Sequence, residues 1–211
     1  MAPVRRRSAR KARRTQQERR VKTRSAIVKA SLRLLVEQGY TKFSASAVAR
    51  MAGVSRGAQE HYYRTRDDLI VATLRYAMDE ALVYALSIAR DPRHSTDPIV
   101  RFLADSEHFF LNPRYRAFIE IMVAARAEPR LLRHWVPLVR DARRRLDKVW
   151  TDRLTAAGYK PADVRRFIEL THYLLRGLML VETWLPYKPN RRDVLRTWRS
   201  LAPAILHRSS V

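Results

Sequence analysis

The sequence predicts an all-α protein of about nine helices, with a small N-terminal helical unit and a larger helical body. Glycines are scarce (five), strand-like alternation is hard to find, and apolar residues recur at spacings of three and four almost everywhere. The chain has 211 residues, 46% of them hydrophobic, enough for a packed core and too apolar for disorder throughout. No internal repeat stands out, and the only biased segment is the Arg-rich start.

Pro and Gly punctuate the helices. A first helix is expected from about Thr23 to Gln38, with Ile27, Ala30, Leu34 and Leu35 inward and Gly39 as its stop. Ser44 is a plausible N-cap for a short second helix, Ala45 to Met51. Ala52-Gly53-Val54 turns the chain, and Ser55 can cap a third short helix to about Tyr63. Asp67 and Asp68 suit the N-terminus of a long fourth helix to about Ala89. DPRHSTDP (Asp91 to Pro98) reads as a linker. Five further helices are expected at about Ile99–Leu111, Pro113–Ala127, Pro129–Ala157, Ala162–Leu185 and Arg191–His207. This divides the chain into a basic disordered arm (1–22), a helix-turn-helix domain (23–66) and a helical body (67–211).

Charge narrows the function classes. Lys plus Arg number 43 against 20 Asp plus Glu, a formal charge of +23. Eleven of the cations lie within the first 24 residues, beside one acid, Glu18. Such an excess points to a polyanionic partner, nucleic acid before membrane. Only seven cations are Lys. That bias fits a GC-rich genome, and it also suits guanidinium contacts to phosphate and guanine. The absence of cysteine excludes a disulfide framework, a thiolate nucleophile and Cys-based metal sites. With no apolar run of membrane-spanning length and no secretory signal pattern, a soluble, cytoplasmic protein is expected. The six His show no metal-binding spacing, and neither a Gly-rich phosphate loop nor a Ser/His/Asp set can be placed. No catalytic residue, metal or cofactor is therefore expected.

The pair Ala45–Met51 and Arg56–Tyr63, joined by Ala-Gly-Val-Ser, has the dimensions of a helix-turn-helix. Gly53 supplies the permissive turn residue, and Val48, Ala49 and Val54 are apolar where the helices must pack. The wider pattern is more specific. Ile27-x-x-Ala30, Leu34-Leu35, Glu37-x-Gly39-Tyr40, Val48-Ala49-x-x-Ala52-Gly53-Val54-Ser55, Gly57-Ala58 and Tyr63-x-x-Arg66-x-x-Leu69 occur in order. From Arg24 to about Thr73 this resembles the N-terminal domain of the TetR family of transcriptional regulators. GAQEHYY resembles the GAQLHHF variant of the family pattern, with Glu60, Tyr62 and Tyr63 as replacements. Phe43 also departs from the family, standing where a Thr is usual.

The resemblance implies a homodimer whose third helices enter successive major grooves of a palindromic operator. It implies a body that binds a small effector, largely apolar, and a repressor as the default. The reading helix is then Ser55 to Tyr62, while Lys42, Ser44, Arg66 and Arg24 fall near phosphates. Helical geometry puts Ser55, Gln59 and Tyr63 on one side, and Gly57, Glu60, His61 and Arg64 on the other. The large Tyr63 marks the first side as packed. Gly57 then allows close backbone approach, Ala58 can offer a methyl to thymine, and Arg56 can fork onto guanine. Gln59 has two readings, adenine contact or burial. So has Glu60, which can bridge Arg56 and Arg64 or accept from a cytosine amino group.

Two more regions carry expectations. The Arg-rich arm is either a solvated tail or a DNA contact along phosphates or in a minor groove. In the body, Phe167, Thr171, Leu174, Leu178, Val181 and Leu185 form one seam, and Val194, Trp198, Leu201 and Ile205 a second. The resemblance makes them a dimer interface; ordinary core packing would use some of the same residues. Phe102, Phe110, Phe118, Met122, Trp135 and Tyr173, with Ser106 and Arg176, are candidates for an effector pocket. The rival to a specific regulator is a nucleoid-type protein that binds nucleic acid through charge alone.

Overall fold

The computed structural model describes residues 3–91, 93–185 and 190–209, with side chains from residue 16 onward. Among the described residues there are nine α-helices and no strand beyond an isolated bridge. The chain forms two compact units, Met1–Tyr76 and Ala77–Val211.

The first unit contains α1 (Pro3–Gln38), α2 (Ala45–Ala52), α3 (Arg56–Tyr62) and the first part of α4 (Arg66–Arg90). Ile27, Ala30, Leu34 and Leu35 are buried on α1, as the apolar spacing requires. Val48 and Ala49 of α2, Phe43, Tyr63 and the α4 residues Leu69, Ile70 and Leu74 are buried too. Gly39, with φ 75°, ends α1 in the left-handed region.

Residues 3–22 correct one expectation. They continue α1 as helix, where composition alone suggests a disordered arm. Arg, Lys, Gln, Glu and Ala all have good helix propensity, and neither Gly nor Pro intervenes between Pro3 and Gly39. Helix nucleation is the costly step, and here the packed half of α1 supplies the nucleus.

The second unit holds the rest of α4, then α5 (Pro98–Phe110), α6 (Pro113–Ala125), α7 (Pro129–Ala156), α8 (Pro161–Trp184) and α9 (Arg191–Ile205). Four of these helices open on Pro at the first turn, where its missing N–H costs nothing and its φ is already helical. Asp97 and Asn112 cap α5 and α6 through their side chains. The core is aromatic. Phe102 meets Trp150 edge-on at 5.6 Å, and Phe167 stacks on Trp198 at 5.5 Å. Val164, Ile168 and Leu154 fill in around them.

This packing overturns part of the expected interface seam. Phe167 and Thr171 are fully buried and Leu178 nearly so within the single chain. Thr171 accepts a hydrogen bond from Trp198 Nε1 at 2.9 Å. A second copy cannot reach these side chains. Phe167, Thr171 and Leu178 lie on the side of α8 that packs within the chain, where the helix meets α5, α7 and α9. Of the remaining seam residues, Leu185 and Leu201 are exposed, while Leu174, Val181, Val194, Trp198 and Ile205 are half-buried.

Candidate nucleic-acid interface and effector region

Local capping sets the geometry of the reading helix. Ser44 Oγ accepts from the Ala47 N–H at 3.2 Å and opens α2. Gly53, at φ 68°, closes it, with its own N–H on Arg50 O and the Val54 N–H on Ala49 O. A side chain at Gly53 would meet nothing within 4 Å, so backbone conformation rather than space requires glycine there. Ser55 Oγ then accepts from the Ala58 N–H at 3.1 Å and starts α3. Both hydroxyls keep a proton to donate outward. Thr65 and Asp68 cap each other's backbone N–H groups at 3.0 and 3.1 Å, a reciprocal box at the start of α4. The T-x-x-D pattern is visible in the sequence and marks this helix start more sharply than the paired aspartates do.

α3 divides as its geometry dictates. Gln59 and Tyr63 are buried; Arg56, Gly57, Glu60 and His61 are exposed, with Ala58 and Tyr62 half-buried between them. Gln59 therefore does not offer an amide to a base edge. Its Nε2 donates to Tyr63 O at 3.0 Å, inside the unit. Burial wins because position 59 lies one helical turn before Tyr63 on the packed side.

Glu60 Oε1 accepts from Arg56 Nε at 2.7 Å, with both side chains largely in solvent. That hydrogen bond raises the arginine's pKa further, so Arg56 stays charged. The other half of the bridge does not form. α3 ends at Tyr62, so Arg64 leaves the helical stripe, and it makes no ion pair among the described residues.

The flanking cations split. Arg24 and Lys42 are exposed, as are Ser44 and Ser55. Arg24 Nε donates to Tyr63 Oη at 3.2 Å, linking α1 to the end of α3. Arg66 is occupied elsewhere than at a phosphate. Its guanidinium donates to Phe43 O, Tyr40 O and Tyr40 Oη, at 2.7 to 3.2 Å, and lies 4.1 Å from the Tyr40 ring centre. Half-buried, it fastens the α1–α2 connection to the start of α4.

In the body, Phe102, Ser106, Phe110, Phe118 and Trp135 are buried. Met122 and Tyr173 are not, at 47% and 57% exposure, and the Tyr173 hydroxyl donates to Glu169 on the outer face of α8. A large apolar or aromatic side chain enters a core only when its helical face agrees, and Met122 and Tyr173 lie off that face. An open groove of about 590 Å³ is lined instead by α4 and α7, including Leu82, Leu86, Val149 and Arg153, none of which the sequence singled out.

Titratable groups lie inside the body, and of these Arg101, Asp105 and Asp147 escape sequence reading, whereas His172 stands among the polar residues that the sequence places near the candidate pocket. Arg101 is 2% exposed and donates through Nη1 to Ala89 O. Asp105 accepts from Trp150 Nε1 at 2.6 Å, and burial pushes its carboxyl up to about 6. Burial also raises Asp147, against the pull of Arg143, whose Nε donates to it at 3.1 Å. His172 is pushed down to about 3, first by burial and then by Arg143 and Arg176. The usable signal was Arg143-x-x-x-Asp147, an i, i+4 pair, but nothing local tells which face of α7 it occupies.

The family model for bacterial regulatory proteins of the tetR family matches residues 27–73. CymR, an HTH-type transcriptional regulator of Pseudomonas putida, is 30% identical over 172 residues, 82% of this chain and 85% of CymR. BetI of Rhizobium meliloti is 33% identical over 41% of this chain and 44% of its own. Solved structures share the fold. A TetR-family regulator from Mesorhizobium loti superposes with TM-score 0.69 at 15% identity, over 89% of this chain and 96% of that one. A transcriptional regulator from Saccharomonospora viridis, solved in complex with choline, gives 0.67 at 16% identity, over 88% and 98%. The capped helix-turn-helix, the nine described helices and the extent of the match to CymR agree: this chain belongs to the TetR family and is a DNA-binding transcriptional regulator.

Proposed function

We propose that the protein is a ligand-responsive repressor that binds a palindromic operator as a homodimer. The observation that carries this is the two-sided α3: Gln59 and Tyr63 anchor it, while Arg56, Gly57, Ala58, Glu60, His61 and Tyr62 lie on or beside the free face. Gly57 has an ordinary φ, and a side chain there would meet nothing within 4 Å. Nothing among the described residues demands glycine there, which fits a backbone that must approach DNA closely. Arg24, Lys42, Ser44 and Ser55 are available to phosphates, and the sequence before Arg24 adds further cations.

Dimerisation is assigned to the outer side of α8 and to α9. Leu170, Tyr173, Trp184, Leu185 and Leu201 are exposed there, and Leu174 and Val181 are half-buried beside them. Apolar side chains repeating along one helix face in this way suit a two-fold interface. The body's role as an effector site has support from the fold relatives with bound small molecules, choline in one and imidazole in EbrR.

Selection of bound sites from a random duplex library tests the reading. The expected result is a palindrome with half-sites about one helical turn apart. Enrichment of no sequence, with equal binding to random duplex at physiological salt, favours charge-driven nucleoid-type binding instead.

A further inference from the structure

Arg24 and Tyr63 meet across 39 residues of sequence, one on α1 and the other closing α3. Arg24 Nε donates to Tyr63 Oη at 3.2 Å, and its guanidinium carbon lies 5.8 Å from the centre of the tyrosine ring. The fold fixes the tyrosine end of this contact. The Tyr63 side chain is buried, its N–H donates to Gln59 O at 2.9 Å, and its carbonyl accepts from Gln59 Nε2 at 3.0 Å. Gln59 is itself fully buried on the packed side of α3. The hydroxyl therefore stands where the core puts it, while the arginine it holds is exposed.

The arginine end is left open. A guanidinium has five N–H donors, and the bond to Tyr63 uses the inner one, on Nε. The terminal amino groups of Arg24 have no partner among the described residues. A phenol brings no negative charge, so the contact locates the guanidinium without offsetting it. Arg33 and Arg56 in the same unit differ: each bonds through Nε to a carboxylate, Glu37 and Glu60, at 2.7 Å. An arginine loose in solvent loses rotamer freedom when it grips a phosphate, and one already fixed through Nε loses less. The family pattern that this stretch resembles ends in Phe, which has no hydroxyl, so the contact depends on the replacement at position 63.

We propose that Tyr63 is a positioning residue for DNA binding, whose hydroxyl presets Arg24 of α1 to grip a backbone phosphate and ties that grip to the end of the reading helix. The proposal rests on DNA binding and on the placement of Arg24 beside a phosphate, and it needs neither a ligand nor a palindrome. A phosphate contact positions the protein without reading sequence, so the effect should be the same on every duplex.

Fluorescence anisotropy of the full chain tests it, with a library-selected palindrome and a random duplex of equal length, from about 50 to about 200 mM salt. Tyr63→Phe keeps the buried ring, removes only the hydroxyl, and should weaken binding to both duplexes roughly threefold to tenfold. Arg24→Gln should weaken both roughly tenfold and lower the slope of log affinity against log salt by about one per subunit bound. Adding Tyr63→Phe to Arg24→Gln should cost nothing further, since the hydroxyl acts through the arginine. A merely structural Tyr63 would weaken binding equally in both backgrounds, and that additive result overturns the proposal. So does native affinity in Tyr63→Phe, an unchanged salt slope in Arg24→Gln, or a loss confined to the palindrome. Should Arg24→Gln misfold, Arg24→Ala, a strong helix former at an exposed position, gives the same comparison. A library that yields no palindrome, with these losses intact on the random duplex, sinks specific repression and leaves the proposal standing. A clear palindrome preference with native affinity in Tyr63→Phe does the reverse.

Discussion

Charge is handled oppositely in the two units. In the N-terminal unit every arginine with a described side chain is exposed except the half-buried Arg66, and the polar groups at helix ends cap backbone N–H groups. In the body, Arg101, Asp105 and Asp163 are buried, and Asp147 and His172 are largely so. A unit that must meet a polyanion keeps its cations in water, where they remain free to exchange counterions for phosphates. Under the proposed effector role, the body's internal polar groups would bear on selectivity, because desolvation makes each unmet hydrogen bond costly.

The sharpest way to break this contrast is to remove a buried charge. The folded-state pKa of Asp105 is raised from 3.8 to about 6, so its ionised form destabilises the fold. This contribution to stability is intact below about pH 4 and is lost as pH rises through about 6, by about 3 kcal/mol. Asp105→Asn keeps an acceptor for Trp150 and should recover most of that loss at pH 7 to 8, as denaturant titration across pH would report. His172 has the opposite sign. Its folded pKa lies near 3, below the ordinary 6.5, so stability is full above 6.5 and falls as pH drops through that interval. The two slopes oppose each other between pH 4 and 6, and either variant alone should expose the other.

On the opposite side of the contrast, deletion of residues 1–20 should weaken operator binding by about 100-fold at low salt. The slope of log affinity against log salt should flatten by about one for each phosphate that the arm no longer neutralises. An unchanged slope in a filter-binding series would remove the arm from the interface. Next in size, Ser55→Ala takes away the α3 cap and should cost about 1 kcal/mol in unfolding free energy, with operator affinity falling in step. The smallest expected effect belongs to Glu60→Gln. If the carboxylate holds Arg56 in a base-reading rotamer, discrimination weakens at the base pair Arg56 reads. If it accepts from cytosine, preference changes at a single neighbouring pair. A selected-site profile identical to the native one would show that Glu60 does neither.

The N-terminal unit is more legible in sequence than the body because its determinants are local. Ser44, Gly53 and Ser55 each fix a chain direction within four residues, and the 3.6 period alone places Gln59 and Tyr63 on the inward side. Arg66 departs from its expected place at a phosphate because its partners, Tyr40 and the Phe43 carbonyl, lie more than twenty residues earlier. In the body, helix limits follow Pro and Gly to within about two residues. The faces do not follow, since a long helix packed on several neighbours has apolar residues nearly all round. Phe167 and Thr171 belong to the core and Tyr173 to the surface, although all three lie within two turns of α8. Partnerships such as Trp150 with Asp105, or His207 with Asp163, span more than forty residues and leave no local trace.

The N-terminal extension of α1 bears on the thermodynamics of DNA binding. Freezing a disordered segment costs about 1–2 kcal/mol per residue in backbone entropy, which a flexible basic arm must overcome each time it docks. A helix continuous with the packed part of α1 has met that cost during folding. The same continuity limits where the charges can go: at 1.5 Å per residue, residues 3–22 form a rod of roughly 30 Å. A rod cannot wrap a groove as a strand-like arm does. It can lie across phosphates spaced along about nine base pairs, so nuclease protection should extend past the palindrome with little of the heat-capacity signature of coupled folding.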